Sequence, residues 1–136
     1  MNPDEQDIRE VIANQHRAIC RKDIDGIMSH YSADAIIFNV KPPYQISNAD
    51  IWRGVWEMSL AHFPASFGTE TRDMAVAVNG GLAVAHYLLR FTGLGNQAWL
   101  RQTVALRKEH SAWKIVHEHV SVPFDPETSK VVFEFD

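Results

Sequence analysis

Residues 69–121 consist almost entirely of long strand-like segments joined by short turns, and this half of the chain limits the fold most. The strands are predicted over 69–78, 82–92, 98–108 and 113–121, and the turns at Asn79-Gly80-Gly81, Gly93-Leu94-Gly95-Asn96 and 109–112. Glycine-containing turns of this length are typical of hairpins. Strands connected so closely pair in the antiparallel direction. We therefore expect a sheet of long antiparallel strands in the second half of the chain.

The first half contains three predicted helices and one predicted strand. Asn2 and Pro3 are suited to start a helix that runs to about residue 21, and Asp23 is suited to cap a shorter second helix. A third helix follows 47–50 and ends before Pro64. The apolar faces of the three helices are: Ile8, Val11, Ile12, Gln15, Ile19; Ile24, Ile27, Met28, Tyr31; and Ile51, Trp52, Val55, Trp56, Ser59, Leu60.

Between the second and third helices, residues 35–40 are rich in β-branched and aromatic side chains, which predicts a strand. The order α-α-β-α-β-β-β-β predicts an α+β domain with helices on one face of a curved sheet. We assign residues 1–136 to a single domain. Its tail, 124–136, is expected to add a short edge strand through 131–133.

The composition excludes several classes of partner. Hydrophobic residues make up 46% and charged residues 22% of the chain, as in a folded globular domain, and the net charge is -4. An acidic balance argues against binding to nucleic acid or to an anionic membrane. Cys20 is the single cysteine, so no intramolecular disulfide can form. This fits a reducing compartment, and with no signal-peptide pattern or membrane-spanning stretch we expect a cytoplasmic protein.

Three segments carry a resemblance to a known superfamily: residues 22–28, 31–35 and 113–121. In these segments and in element order the chain resembles the nuclear transport factor 2-like proteins, and among them the SnoaL-like and ketosteroid-isomerase-like ones. The resemblance implies a cone-shaped sheet wrapped round a helix, with an open-ended pocket inside and a convex side that often pairs two subunits. Members include isomerases, dehydratases, epoxide hydrolases, polyketide cyclases, and domains that only bind or assemble.

The residues that ketosteroid isomerases use do not carry over to this chain. The position of the Asp base falls at Asn39, which cannot accept a proton at neutral pH, and the helix tyrosine position falls near Gln15. The strand segment 100–106, which should carry the second acid, contains no carboxylate. We therefore expect no classical ketosteroid isomerase activity, and turnover of a 3-oxo-Δ5-steroid above background would contradict this.

His117 and His119 are the candidate catalytic residues. Residues 113–121 alternate, so both imidazoles share the face of Trp113, Ile115 and Ser121, and this face is expected to line the pocket. The pair would serve as acid and base, with His119 favoured because it lies nearer the polar end of the strand. Alternatively, one histidine bonds a backbone carbonyl or Ser121 and the other lies at an ordinary polar edge.

No metal or other cofactor is predicted. His-x-His on one strand is a common pair of zinc ligands, but zinc needs further ligands. Glu118 points to the opposite face from His117 and His119, so it cannot join them, and no second histidine-rich strand motif is present.

Five residues are candidate ligand-binding residues: Asn39, Trp52, Trp56, Tyr87 and Gln102. The two amides would supply neutral hydrogen bonds in an apolar pocket, which is the usual make-up of a small-molecule site. The two tryptophans lie four apart on the third helix, where they either floor an aromatic site or belong to the core. Tyr87 is preferred to His86 because the other residues on its strand face are apolar.

The favoured function is cofactor-independent acid–base chemistry on an apolar, oxygen-bearing small molecule, such as isomerisation, dehydration or cyclisation. The alternative is a domain that binds a ligand or forms oligomers without catalysis. A homodimer is expected through the outer face of the sheet. The residues assigned to this interface are Arg101, Thr103, Ala105, Arg107, Val116, Glu118 and Val120.

Overall fold

The computed structural model describes residues 2–95 and 98–134. Its elements are α1 (Pro3–Cys20), α2 (Ile24–Met28), β1 (Tyr31–Phe38), β2 (Gln45–Ile46), α3 (Ala49–Ala61), β3 (Gly68–Asn79), β4 (Leu82–Thr92), β5 (Leu100–Glu109), β6 (Ala112–Ser121), β7 (Phe124–Asp125) and β8 (Lys130–Val131). The predicted helices and long strands are all present. Asn96, assigned to the second turn, lies outside the described residues.

Each helix begins at a residue that satisfies the free N–H groups of the first turn. The Asn2 side chain accepts from the backbone N–H groups of residues 4 and 5, Asp23 accepts from that of Gly26, and Asn48 accepts from that of Ile51. These donors have no partner within the helix, so such caps stabilise the start of a helix. The predicted starts of all three helices are confirmed.

The sheet has the strand order β2-β1-β6-β5-β4-β3. β1 and β6 run parallel, and the other neighbours pair in the antiparallel direction. The helices pack against the inner face, where alternate residues of β4 and β5 are buried. The predicted α+β fold, with helices on one face of a curved sheet, is confirmed.

A β-bulge interrupts the regular alternation of β6. Leu106 of β5 pairs with Ile115, but the preceding Ala105 pairs with His117, so Val116 is an extra residue without a partner on β5. An extra residue in one strand moves every following side chain to the opposite face. Trp113, Ile115, Glu118 and Val120 therefore face the helices, whereas His117 and His119 lie on the outer face.

The tail does not extend the main sheet. β7 and β8 pair with each other as a separate two-stranded sheet, and the backbone N–H of Trp99 donates to the carbonyl of Phe133. The expected edge strand through 131–133 is therefore wrong, because this segment folds back on 124–125. Residues 135 and 136 of the tail lie outside the described residues.

Among the described residues, no helix has the length and apolar character needed to cross a membrane. The cytoplasmic location stays a prediction.

Gly54 of α3 offers a test of the local helix energetics. A methyl group added there would meet no other atom within 4 Å. We expect Gly54→Ala to raise the free energy of unfolding by about 0.5–1 kcal/mol, the usual cost of glycine in an exposed helix. The measurement is urea denaturation. Gly26→Ala is the control, because its methyl group would collide with the Asp23 cap and should lower stability.

Candidate functional site

A cavity of about 260 Å³ lies between α3 and the inner face of the sheet. Its lining is mainly apolar and aromatic, with a few polar side chains, as is usual for small-molecule sites. The residues that line it are Asn39, Val40, Lys41, Trp52, Val55, Trp56, Ser59, Phe63, Phe91, Leu94, Leu100, Gln102, Glu118 and Val120.

Glu118 is the acidic residue among those that line this cavity. The bulge at Val116 turns its side chain inward, and only 4% of its surface is exposed. The hydroxyl of Tyr31 donates to Glu118 Oε1 over 2.6 Å, and Gln15 Nε2 donates to the Tyr31 oxygen over 2.7 Å. α1, β1 and β6 thus each contribute one member of a buried hydrogen-bonded chain that ends at the cavity wall.

Burial changes the protonation of this chain. Burial raises the pKa of Glu118 to about 7, and the hydrogen bond from Tyr31 opposes this rise. The pKa of Tyr31 is also raised, first by burial and then by the negative charge of Glu118. Tyr31 therefore stays a donor, whereas Glu118 has both protonated and ionised forms near neutral pH. A carboxyl group with such a pKa is suited to general acid–base chemistry.

Three further polar atoms of cavity-lining residues are buried without a hydrogen-bond partner among the described residues. One is Nε1 of Trp52, whose ring packs against Tyr31, and the other two are Gln102 Oε1 and Trp56 Nε1. Gln102 lies opposite Val120, and Glu118 lies opposite Val104, so the Gln102 and Glu118 side chains are diagonal neighbours on the inner face. Buried polar atoms are normally satisfied. A ligand with both a donor and an acceptor would satisfy Gln102 Oε1 and Trp56 Nε1.

The structure brings four of the five predicted ligand-binding residues together. Asn39, Trp52, Trp56 and Gln102 all line the cavity, although their role in binding stays a prediction. Trp52 also belongs to the core, since its ring packs edge-on against Tyr31 at 6.5 Å and against Trp56 at 5.6 Å between centroids. The two interpretations of the tryptophan pair are therefore compatible.

Tyr87, the fifth residue, points inward but does not line the cavity. It is buried and its ring meets that of His16 at 5.8 Å, beyond the cavity wall. Burial, with a smaller contribution from the charge of Glu118, raises the pKa of Tyr87. His86 lies on the exposed outer face, so the preference for Tyr87 as the inward residue of this pair is confirmed.

The expected inward orientation of His117 and His119 is wrong. Both rings pack against Phe38 on the outer face, with centroid distances of 4.8 and 5.5 Å, and neither lines the cavity. His117 Nδ1 lies 2.8 Å from the carbonyl oxygen of Ile36, so the alternative of a histidine bonded to a backbone carbonyl describes it well. The physical reason is the extra residue at Val116.

The same bulge corrects the assignment of Glu118 and Val120 to the outer face, since both are buried inside. Sequence reasoning therefore missed the acid in the cavity. One signal was present: Gln15 is a polar residue on the buried stripe of α1, and such a residue needs a buried partner.

No group of three or more histidine, cysteine or acidic side chains suited to a metal ion occurs within residues 2–95 and 98–134.

Comparison with known proteins gives a family match over most of the chain. The sequence profile of the SnoaL-like domain family matches residues 8–125. No curated protein matches the sequence. An NTF2-like protein of unknown function from Pseudomonas putida KT2440 is 32% identical, with 97% of this chain and 95% of that chain covered and a TM-score of 0.90.

Two other solved structures share the fold at lower identity. A proposed dehydratase of the NTF2-like family from Streptomyces avermitilis is 17% identical, with coverage of 91% and 100% and a TM-score of 0.79. A proposed ketosteroid isomerase from Parabacteroides distasonis is 19% identical, with coverage of 82% and 83% and a TM-score of 0.68. At these identities the likeness concerns the fold alone.

Proposed function

Because the chain belongs to the family of SnoaL-like domains and has a cavity inside its curved sheet, we propose that it carries out cofactor-independent acid–base chemistry in this cavity. The substrate is a small, mainly apolar molecule with an oxygen-containing group. The observation that carries the proposal is the buried carboxyl group of Glu118 in the cavity wall, with a pKa of about 7.

The cavity supplies three separate contributions to such a reaction. Trp52, Trp56 and Val120 surround an apolar body and exclude water from it. Gln102 and Trp56 offer hydrogen bonds that orient its polar group. Glu118 then removes a proton from one atom of the substrate and returns a proton to the same or another atom. The reaction is therefore limited to steps that consist of such proton transfers. Isomerisation, dehydration and cyclisation all meet this condition.

Glu118 alone can both accept and return the proton in these reactions. In an isomerisation its ionised form takes a proton from one carbon and returns it to another. In a dehydration it takes a proton from carbon and gives one to the departing hydroxyl, which leaves as water. Tyr31 holds the carboxyl group in place through its hydrogen bond and is a positioning residue.

The test uses 5-nitrobenzisoxazole, a neutral aromatic probe that opens irreversibly when a base removes its ring proton. We expect saturable turnover that rises with pH as Glu118 ionises around pH 7. Glu118→Gln should lower the rate by about 10²–10⁴-fold, the usual contribution of a positioned general base.

His119→Gln is the matched control, because this residue lies on the outer face and should leave the rate unchanged. Equal rates in wild type and Glu118→Gln would contradict the proposed role of the carboxyl group. A rate lost only in His119→Gln would restore the earlier assignment to the histidine pair.

A second candidate is ligand binding without conversion. The observation that favours it is the pair of unpartnered atoms, Gln102 Oε1 and Trp56 Nε1, since a bound molecule satisfies them whether or not it reacts. Native mass spectrometry of gently purified protein would detect a retained small molecule. Retention of a molecule that stays chemically unchanged, together with no turnover of the probe, would favour this candidate.

We also propose that the outer face of the sheet pairs two copies of the chain. Ile36, His117, Ala105, Val84 and Ala77 form one continuous row across five strands. Ile36 is 47% exposed and Val84 38%, so the row presents apolar side chains to its surroundings.

Val84→Arg is expected to shift a dimer towards monomers in sedimentation velocity, because it places a charge in the middle of this row. Val131→Arg is the control, since Val131 is equally apolar and exposed but lies in the tail. A monomeric wild type, or a dimer unaffected by Val84→Arg, would contradict the pairing.

A further inference from the structure

α3 has a second apolar face that no other described element covers. Ile51, Gly54, Val55 and Met58 recur at helical spacing and line a groove together with Pro42 and Pro43. Ile51 is 47% exposed and Met58 is 70% exposed. This outer groove lies on the surface, whereas the Trp52 and Trp56 side of the helix faces the cavity.

The outer groove and the cavity adjoin each other. Four residues line both of them: Lys41, Val55, Ser59 and Phe63. We call the two together the joined space. Glu118 lies at its buried end, in the cavity wall, and Lys41 lies at its exposed end, where it lines both the cavity and the groove.

Lys41 is the cation at this exposed end. Within residues 2–95 and 98–134, no hydrogen bond or ion pair engages its ammonium group, and no acidic side chain lines the outer groove. The other residues that line the groove are apolar, apart from Ser59 and His62. An ammonium beside apolar surface is suited to bind a molecule with an apolar body and an anionic end.

The opposite end of the space disfavours an anion when Glu118 is ionised. Glu118 is buried, and a second negative charge beside it in the cavity would meet like-charge repulsion without water to screen it. An anionic ligand therefore has one favourable direction, with its neutral part beside Glu118 and its charged group at Lys41.

We propose that the ligand is an amphipathic anion. Its neutral, oxygen-bearing end occupies the cavity beside Glu118 and Gln102, its apolar body crosses Val55 and Phe63, and its carboxylate or other acidic group pairs with Lys41. This inference rests on the proposed function, because it takes Glu118 as the reacting end of the same site. It adds a class of substrate and a residue that determines specificity.

Two dyes that differ by one anionic group provide the test: 8-anilinonaphthalene-1-sulfonate and the neutral N-phenyl-1-naphthylamine. Fluorescence titration should show tighter binding of the sulfonate by wild type. Lys41→Met should weaken sulfonate binding by about two- to fivefold, the range for an exposed ion pair, and leave the neutral dye unaffected. Lys41→Glu should reverse the preference. Added salt should reduce the difference between the dyes.

Lys130→Met is the matched control, because it removes the same charge from the tail, away from the groove. Equal weakening of both dyes by Lys41→Met, or no change in either, overturns the pairing with an anion while leaving the cavity and Glu118 in place. Failure of both dyes to bind wild type contradicts the ligand pocket itself, and with it the proposed function. Sulfonate binding that falls as the protein is concentrated would assign the groove to a second copy of the chain and also overturn the proposal.

Discussion

Replacing Glu118 by glutamine is expected to stabilise the protein by about 3 kcal/mol above pH 7 and to leave its stability near pH 4 almost unchanged. Glutamine has the same shape, stays neutral at every pH and can still accept the hydrogen bond from Tyr31. The variant therefore removes only the cost of keeping an ionisable group in an apolar interior.

The sign of this effect follows from the two states of Glu118. Its pKa is 4.5 in the unfolded chain and about 7 in the folded protein. Both states are protonated below the lower value, so stability is unaffected there. Between the two values only the unfolded chain has released the proton, so stability falls as pH rises, and it is constant again above pH 7. The variant lacks this loss.

His16 changes the free energy of unfolding with pH in the opposite direction to Glu118. In wild type it therefore partly offsets the pH dependence that Glu118 causes. Burial lowers its pKa from 6.5 to about 4, so its contribution to stability is present at neutral pH and lost as pH falls through this range. Burial, with a smaller contribution from the charge of Lys114, also lowers the pKa of His30. We therefore expect the falling slope from Glu118 to be offset in wild type between about pH 4.5 and 6.5, because the two histidines give slopes of the opposite sign.

Urea denaturation across a pH series measures both contributions. The stability difference between Glu118→Gln and wild type isolates Glu118, because His16 and His30 are common to both proteins. His16→Gln should uncover the falling slope that Glu118 causes. Curves for wild type and Glu118→Gln that run parallel at every pH would show that Glu118 ionises normally and would remove the basis of the acid–base assignment.

Tyr31→Phe should have the second largest effect, because it changes both the pKa of Glu118 and the free energy of unfolding. The hydrogen bond from Tyr31 lowers the pKa of Glu118, so its loss should move that pKa further upwards, above about 7. The same substitution leaves Gln15 Nε2 buried without its acceptor. An unsatisfied buried polar group costs about 1–3 kcal/mol, so the free energy of unfolding should fall by that amount.

Carbon NMR of the labelled Glu118 carboxyl group measures the first effect, and urea denaturation measures the second. Gln15→Leu provides the control for the hydrogen-bonded chain. Added to Tyr31→Phe, it should cost less than it does in wild type, because its partner is already absent. A pKa of Glu118 that falls in Tyr31→Phe would contradict the arrangement of this chain.

The fold could be predicted from the sequence because the features that indicate it are local and repeated. The strand boundaries follow from glycine turns and from the alternation of apolar residues, and β4 keeps that alternation along its length, so Tyr87 and His86 were assigned correctly. The helix starts follow from capping residues such as Asn2 and Asp23. Each of these features depends on a few neighbours in the chain.

The inward orientation of Glu118 could not be predicted from the sequence in the same way. The pattern of β6 is consistent with regular alternation, and no glycine or proline marks the extra residue at Val116. The bulge is visible only from the pairing of β6 with β5, which is separated from it in sequence by a turn. Tyr31 was likewise assigned to the apolar face of α2, whereas it begins β1 and donates to Glu118.

The chemical character of the cavity depends on how β6 pairs as well as on its composition. If Val116 took a regular place in the pairing with β5, His117 and His119 would turn towards α3 and Glu118 would move to the outer face, with every residue identity preserved. Loss of Val116 would instead keep Glu118 in the cavity, because His117 would then follow Ile115 directly. Two related strands with the same residues can therefore present either a carboxylic acid or imidazoles to the cavity, according to whether a bulge precedes them.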